Sequence, residues 1–250
     1  MSKPLNSKVL HVRVGHSSDK VKLDMPATNT YNRVSCNFCN IPKSFYMIDS
    51  DLEQPLFLEN TGGNPAVRLN MADGNYNQFQ FITELESQLN TISAANGNSF
   101  AYQVSFDSKT NKMTISSNEA VPTGFLLTLN ISDPAKQAFA RYIGSSHFAL
   151  ITYTGSWTSP FPSNFQRYEN VQVRSDICQN GDNDILLTLH MGDSPYYDTV
   201  QYTVQDPNFT KCTLANNRKG TYQFRITDEW GESINMQGQS AHFTIGVWYE

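Results

Sequence analysis

In many short windows of this chain an apolar residue occupies every second position: Phe100, Tyr102, Val104 and Phe106; Phe125, Leu127, Leu129 and Ile131; Tyr222, Phe224 and Ile226; Phe243, Ile245 and Val247. A period of two sends alternate side chains to a buried face and to water, which commits these windows to half-buried β-strands. Turn-forming clusters separate them, among them Asp107-Ser108-Lys109-Thr110-Asn111, Gln179-Asn180-Gly181-Asp182-Asn183 and Asp228-Glu229-Trp230-Gly231. Such clusters predict antiparallel hairpins. Further candidate strands lie at 20–25, 31–38, 45–49, 65–71, 171–178 and 199–204, which brings the expectation to roughly ten. Nothing alternates strand with helix as a parallel sheet requires, so the expected class is all-β, an antiparallel β-sandwich.

One segment has the other period. In 77–92, Phe81, Ile82, Leu85, Leu89 and Ile92 recur at helical spacing, and Asn77 with Gln80 forms a capping-box pattern, so a helix of about four turns is expected there. A shorter helix is expected over 133–141, with Ser132 as cap, Pro134 in the first turn and Ala135, Ala138 and Phe139 on one face. Both are expected to cover an open end of the β structure. Between 144 and 170 the chain turns rich in Ser, Pro, Gly and aromatics, which predicts a long surface loop. The domain expectation is an N-terminal arm over 1–19, short of core-type alternation, then one β domain over 20–250 with a sub-boundary near 150–165.

Composition narrows the function. Only 16% of the 250 residues are charged while 12% are aromatic, and a surface built from Ser, Thr, Asn and Gln loses less on desolvation than one built from Lys and Glu. That suits extensive protein contact. A net charge of -5, with no long run of Lys or Arg, argues against gripping nucleic acid. The N-terminus lacks a signal-peptide core and no stretch has the length of a membrane span, so the chain is expected to be made in the cytoplasm with no membrane span. Four cysteines are too few for a disulfide scaffold. In that compartment the sequons at Asn130 and Asn208 go unused.

No constellation reads as catalytic. Cys36-Asn37-Phe38-Cys39 has zinc or redox spacing, with Cys178 and Cys212 as further thiols. On a strand, however, positions i and i+3 face opposite ways unless the strand bulges. His190-Met191-Gly192-Asp193-Ser194 crowds triad-type residues into one turn, where they cannot converge from separate elements. His11, His16, His147 and His242 share no ligand spacing. Asp182-Asn183-Asp184 and Asp49-Ser50-Asp51-Leu52-Glu53 offer oxygen ligands without a complete calcium loop. Gly62-Gly63 lacks the Lys of a phosphate loop. Trp157, Trp230 and Trp248 could stack sugars in a lectin-like head or pack in a core and interface. No catalytic, cofactor-binding or metal residue is assigned, and the expectation is a non-enzyme.

A string of segments in fixed order carries a resemblance. The run Tyr31-Asn32-Arg33-Val34-Ser35-Cys36-Asn37-Phe38 leads into Ile41-Pro42-Lys43-Ser44-Phe45-Tyr46-Met47-Ile48; Gly74-Asn75-Tyr76-Asn77 opens a helix holding Leu85 and Leu89-Asn90; Thr110-Asn111-Lys112-Met113-Thr114-Ile115 closes a hairpin. Then come Val171-Gln172-Val173-Arg174-Ser175-Asp176-Ile177 and Phe224-Arg225-Ile226-Thr227-Asp228-Glu229-Trp230-Gly231. This order resembles the penton and minor capsid proteins of virophages, Polinton- and adintovirus-type elements and some nucleocytoplasmic large DNA viruses. Where those proteins often have Leu-Gly-Phe, this chain has Phe139-Ala140-Arg141-Tyr142-Ile143-Gly144. The resemblance implies a jelly-roll capsid protein of a double-stranded DNA virus. It also implies a homo-oligomer, a pentamer if placed at vertices, whose partners in the virion are the major capsid protein and other minor capsid proteins. A facet-lining protein and a spike-like binding module remain the alternatives.

Overall fold

The computed structural model describes residues 7–15, 18–23, 32–49, 55–59, 66–119, 122–126, 138–145, 150–179, 184–192, 195–205, 212–215 and 220–248. The chain forms two compact units, one of Met1–Phe45 with Tyr168–Glu250, the other of Tyr46–Arg167. The second is therefore an insertion in the first.

The outer unit holds β1 (Ser7–Gly15), β2 (Ser18–Lys22), β3 (Arg33–Pro42), β11 (Asn170–Ser175), β12 (Cys178–Gln179), β13 (Ile185–His190), β14 (Thr199–Thr203), β15 (Cys212–Leu214), β16 (Thr221–Thr227) and β17 (Ser240–Trp248). One sheet runs β1-β17-β3-β15-β12, with β14 also on β3, and the other runs β13-β11-β16-β2. Numbering β1, β2, β3, β11, β13, β15, β16 and β17 as strands one to eight, the orders are 1-8-3-6 and 2-7-4-5, the two interleaved Greek keys of a jelly roll. Alternation builds the core between the sheets: Val12, Val34, Ile245 and Val247 from the first face Val171, Val173, Phe224 and Ile226 from the second in one buried cluster.

Three expectations change here. The boundary of the arm at 19 does not describe the structure: nine residues of β1 pair antiparallel with β17, and Leu10, Val12 and Val14 are buried. These apolar residues at every second position belong to the sandwich. The single domain over 20–250 becomes a jelly roll interrupted between β3 and β11, with the division at 167/168 lying just beyond the expected 150–165. The 144–170 loop contains strands β9 (Leu150–Thr154) and β10 (Ser156–Thr158). Ile151 and Tyr153 are buried between exposed Thr152 and Thr154, and Gly155, at φ 76, supplies the left-handed bend between the two strands.

The inserted unit also has β4 (Leu56–Glu59), β5 (Val67–Arg68), α1 (Gln78–Ala95), β6 (Tyr102–Asp107), β7 (Lys112–Ser117), β8 (Pro122–Leu126) and α2 (Ala138–Tyr142). Its sheets are β5-β4-β8-β9 and β10-β7-β6. Helix α1 starts on the expected box, Asn77 Oδ1 accepting from Gln80 N at 2.9 Å and Gln80 Oε1 from Asn77 N at 3.0 Å. It buries Phe81, Leu85, Leu89 and Ile92. Its other work is to cover an edge. Asn90 Oδ1 accepts from Tyr102 N, Asn90 Nδ2 donates to Tyr102 O, and Glu86 Oε2 accepts from Val104 N, so helix side chains satisfy edge strand β6 as a further strand would. Of the second expected helix only Ala138–Tyr142 is seen; 127–137, with Ser132, Pro134 and the strand end at Leu127, Leu129 and Ile131, lie outside the described residues.

Glu59 joins these parts. Its fully buried carboxylate accepts from Asn96 Nδ2 at 3.0 Å, Asn98 Nδ2 at 2.8 Å and the Tyr102 hydroxyl at 2.9 Å. Burial and then this carboxylate push the Tyr102 phenol's ionisation up. Glu59→Ala leaves three donors without their acceptor and is expected to destabilise the inserted unit by about 3 kcal/mol. Hydrogen exchange checks this: amide protection should fall across 78–107 and hold in β16 and β17.

Candidate functional site

The residues that the sequence singles out are mostly consumed by structure. In β3, Ile245 of β17 faces Cys36 while the next residue back, Thr244, faces Phe38, so Asn37 is a bulged extra residue. The bulge is the exception that lets positions i and i+3 share a face: Cys36 and Cys39 are both fully buried on the core side. Their mutual hydrogen bond, then burial, push the Cys39 thiol up. Cys178 on β12 and Cys212 on β15 are also coupled, and their side-chain interaction raises Cys178 and lowers Cys212 to about 7. None of the four cysteines forms a disulfide. Among the described residues no group of three or more His, Cys, Asp or Glu is placed to hold a metal ion.

Asp49 is buried against Arg167 in an ion pair, while 50–54 lie outside the described residues. Asp184 is shared by Arg174 Nη1 at 3.0 Å and Arg225 Nη2 at 2.6 Å. Partial burial opposes its charge, but the hydrogen bonds from Arg225 and Arg174 outweigh burial and hold its carboxyl below the ordinary range. Exposed His190 lies 3.4 Å from Asn170 Oδ1; Asp193, Ser194, His16, His147, Asn130, Asn208, Asp182, Asn183, Gly62 and Gly63 lie outside the described residues. No helix among the described residues is long and apolar enough to cross a membrane.

What remains is surface. Trp157 sits in the ladder opposite Ile115, and Trp248 Nε1 donates to Ser35 Oγ at 3.1 Å. Trp230, 47% exposed, crowns the turn between β16 and β17. Buried Asp228 builds that turn: its Oδ1 accepts from Trp230 N at 3.0 Å and from Glu232 N at 2.9 Å. Its own backbone N–H donates to Glu232 O, and its carbonyl accepts from Gly231 N. Burial raises the Asp228 carboxyl against those backbone bonds. Sequence reading expects a hairpin at 228–231: the turn is there, closed by a bridge between Thr227 and Ser233, but β16 and β17 pass into different sheets instead of pairing, and the outward Trp comes only from the structure.

Solved structures place this architecture. The crystal structure of the mavirus penton protein matches over 97% of this chain and 99% of its own, at a TM-score of 0.56 and 9% identity. The fold is that of the mavirus penton protein. A cryo-EM structure of the Sputnik virophage aligns over 98% of both chains at 13% identity and a TM-score of 0.45. No family model matches the sequence, and no curated protein matches it. The likeness therefore lives in the fold, a jelly roll from β1 to β17 with its insertion.

Proposed function

We propose that this chain is a structural protein of an icosahedral viral capsid, of the penton kind, without catalytic activity or cofactor. The observation that carries the reading is the co-extensive match to a penton protein across 97% of this chain, which includes the inserted unit as well as the jelly roll. A surface of low charge density supports it, because wide contacts then form without heavy desolvation cost. In this reading the chain is made in the host cytoplasm and enters the virion. There it assembles as a homopentamer at five-fold vertices against the major capsid protein and other minor capsid proteins.

The test is incorporation into particles. Purified virions should hold the chain at a low, vertex-like copy number, and an icosahedral reconstruction should place density for both units around the five-fold axis. Light scattering on the free protein should give five copies of the 28.2 kDa chain, or that mass once the major capsid protein is added. Density along the facets would assign it to the facet-lining minor proteins, and absence from particles would end the capsid reading.

A further inference from the structure

The two faces best suited to contact in the outer unit carry opposite charge. On one side stands the β16–β17 turn, where exposed Trp230 lies between exposed Glu229 and Glu232. Asp228 fixes the turn's backbone, and Thr227 Oγ1 donates to the Asp228 carbonyl at 3.0 Å. Gly231, at φ +94, lies over the Arg174 guanidinium. Asn170 Nδ2 steers the Glu229 carboxylate at 3.1 Å. A tryptophan presented on a turn already held by this many bonds binds without an ordering cost, which is the character of an interface hot spot.

On the other side is the outward face of the sheet holding β1. In a chain of net charge -5, strands β1, β3, β12, β14, β15 and β17 contain no Asp or Glu. Their outward positions include Arg13, Arg33, His11 and His242, with His11 and Arg13 exposed. Within this basic field is an apolar spot. Val9, 51% exposed, faces Gly246 in the register. The Trp248 ring lies across that glycine, so close that a Cβ there would meet it at 3.0 Å. Only glycine leaves room for the ring, and Ser35 Oγ holds the ring's N–H.

We propose that the Trp230 turn of one copy docks on the Val9–Trp248 spot of a second copy, with Glu229 and Glu232 meeting Arg13 and Arg33. The occupant is a second copy because both halves, aromatic with an acidic flank and apolar with a basic rim, are on the same chain. Plug and socket are different surfaces, so the contact is heterologous and repeats head to tail until it closes into a ring. It deepens the penton reading by naming the surface through which copies meet, and it rests on that reading only for the ring's place in a particle.

The experiment uses the full chain. With p-benzoylphenylalanine in place of Trp230, irradiation should give intermolecular crosslinks whose peptides map to β1 and β17. In sedimentation, Trp230→Ala should weaken self-association about tenfold or more with an unchanged melting temperature. Glu229→Lys with Glu232→Lys should weaken it similarly, and adding Arg13→Glu with Arg33→Glu should restore it. Crosslinks elsewhere, full association of Trp230→Ala, or failure of the charge swap to rescue overturns the contact. So does a wild-type protein that stays monomeric at about 100 μM, far above the weakest useful affinity. None of these outcomes touches incorporation into virions, which tests the penton reading separately.

Discussion

Phe224→Ala should destabilise the jelly roll by about 3–5 kcal/mol and lower its melting temperature by roughly 10 °C or more. Phe224 on β16 and Phe243 on β17 are 0% and 2% exposed, and their rings meet at 5.3 Å with a tilt of 57°. The two strands belong to different sheets, so the pair is a direct aromatic tie between the layers. Removing one ring loses its transfer free energy and leaves a void that ladder-bonded strands cannot close. Phe224→Leu should cost less than half as much, because most of the volume stays. A double-mutant cycle with Phe243→Ala isolates the ring–ring part, expected at about 0.5–1.5 kcal/mol beyond burial. Calorimetry and denaturant melts read both quantities. A loss below about 1 kcal/mol for the alanine would mean that other contacts hold the sheets together.

The burial of both rings was legible in the sequence because Tyr222-x-Phe224-x-Ile226 and Phe243-x-Ile245-x-Val247 alternate without interruption, and alternation reports burial directly; that the two rings meet comes only from the structure. The same holds for α1, where the Asn77–Gln80 box and the spacing of Phe81, Leu85 and Leu89 agree. The signal at 9–14 was there too: Leu10, Val12 and Val14 alternate, but Lys8, His11 and Arg13 among them give an edge strand the look of a polar arm. Strands β9 and β10 were hidden by their Gly, Ser and Pro surroundings. The insertion was illegible for a different reason. Sheet partners in a jelly roll are distant in sequence, β3 with β17 and β11 with β16, and no local pattern says which strands close over a long excursion. Of the surface, Trp230 could be noticed as a residue but not as an exposed one, since exposure of a turn aromatic depends on what packs beneath it.

Arg167→Met should loosen the inserted unit where its chain enters and leaves. Arg167 and Asp49 form an ion pair with side chains 6% and 9% exposed. The same Arg167 Nη1 donates to Tyr46 O at 3.1 Å, and Arg141 Nη2 donates to Arg167 O at 2.7 Å. Beside them the Tyr142 hydroxyl donates to Met47 O at 2.9 Å. Tyr46 and Arg167 are the first and last residues of the unit, so this cluster ties its two ends to each other. Removing the guanidinium takes the counter-charge of the ion pair from a buried carboxylate, and a broken buried pair costs about 3–5 kcal/mol. Asp49→Asn leaves an uncompensated guanidinium and should cost a similar amount. Changing both, Asp49→Leu with Arg167→Met, removes both charges and should recover much of the loss, since an apolar replacement of a buried pair is often neutral. Hydrogen exchange should show each single variant losing protection in α1, α2 and the strands from β4 to β10, with β16 and β17 holding theirs. If the singles melt like the parent protein, the pair is incidental and the ends of the insertion are held by packing alone.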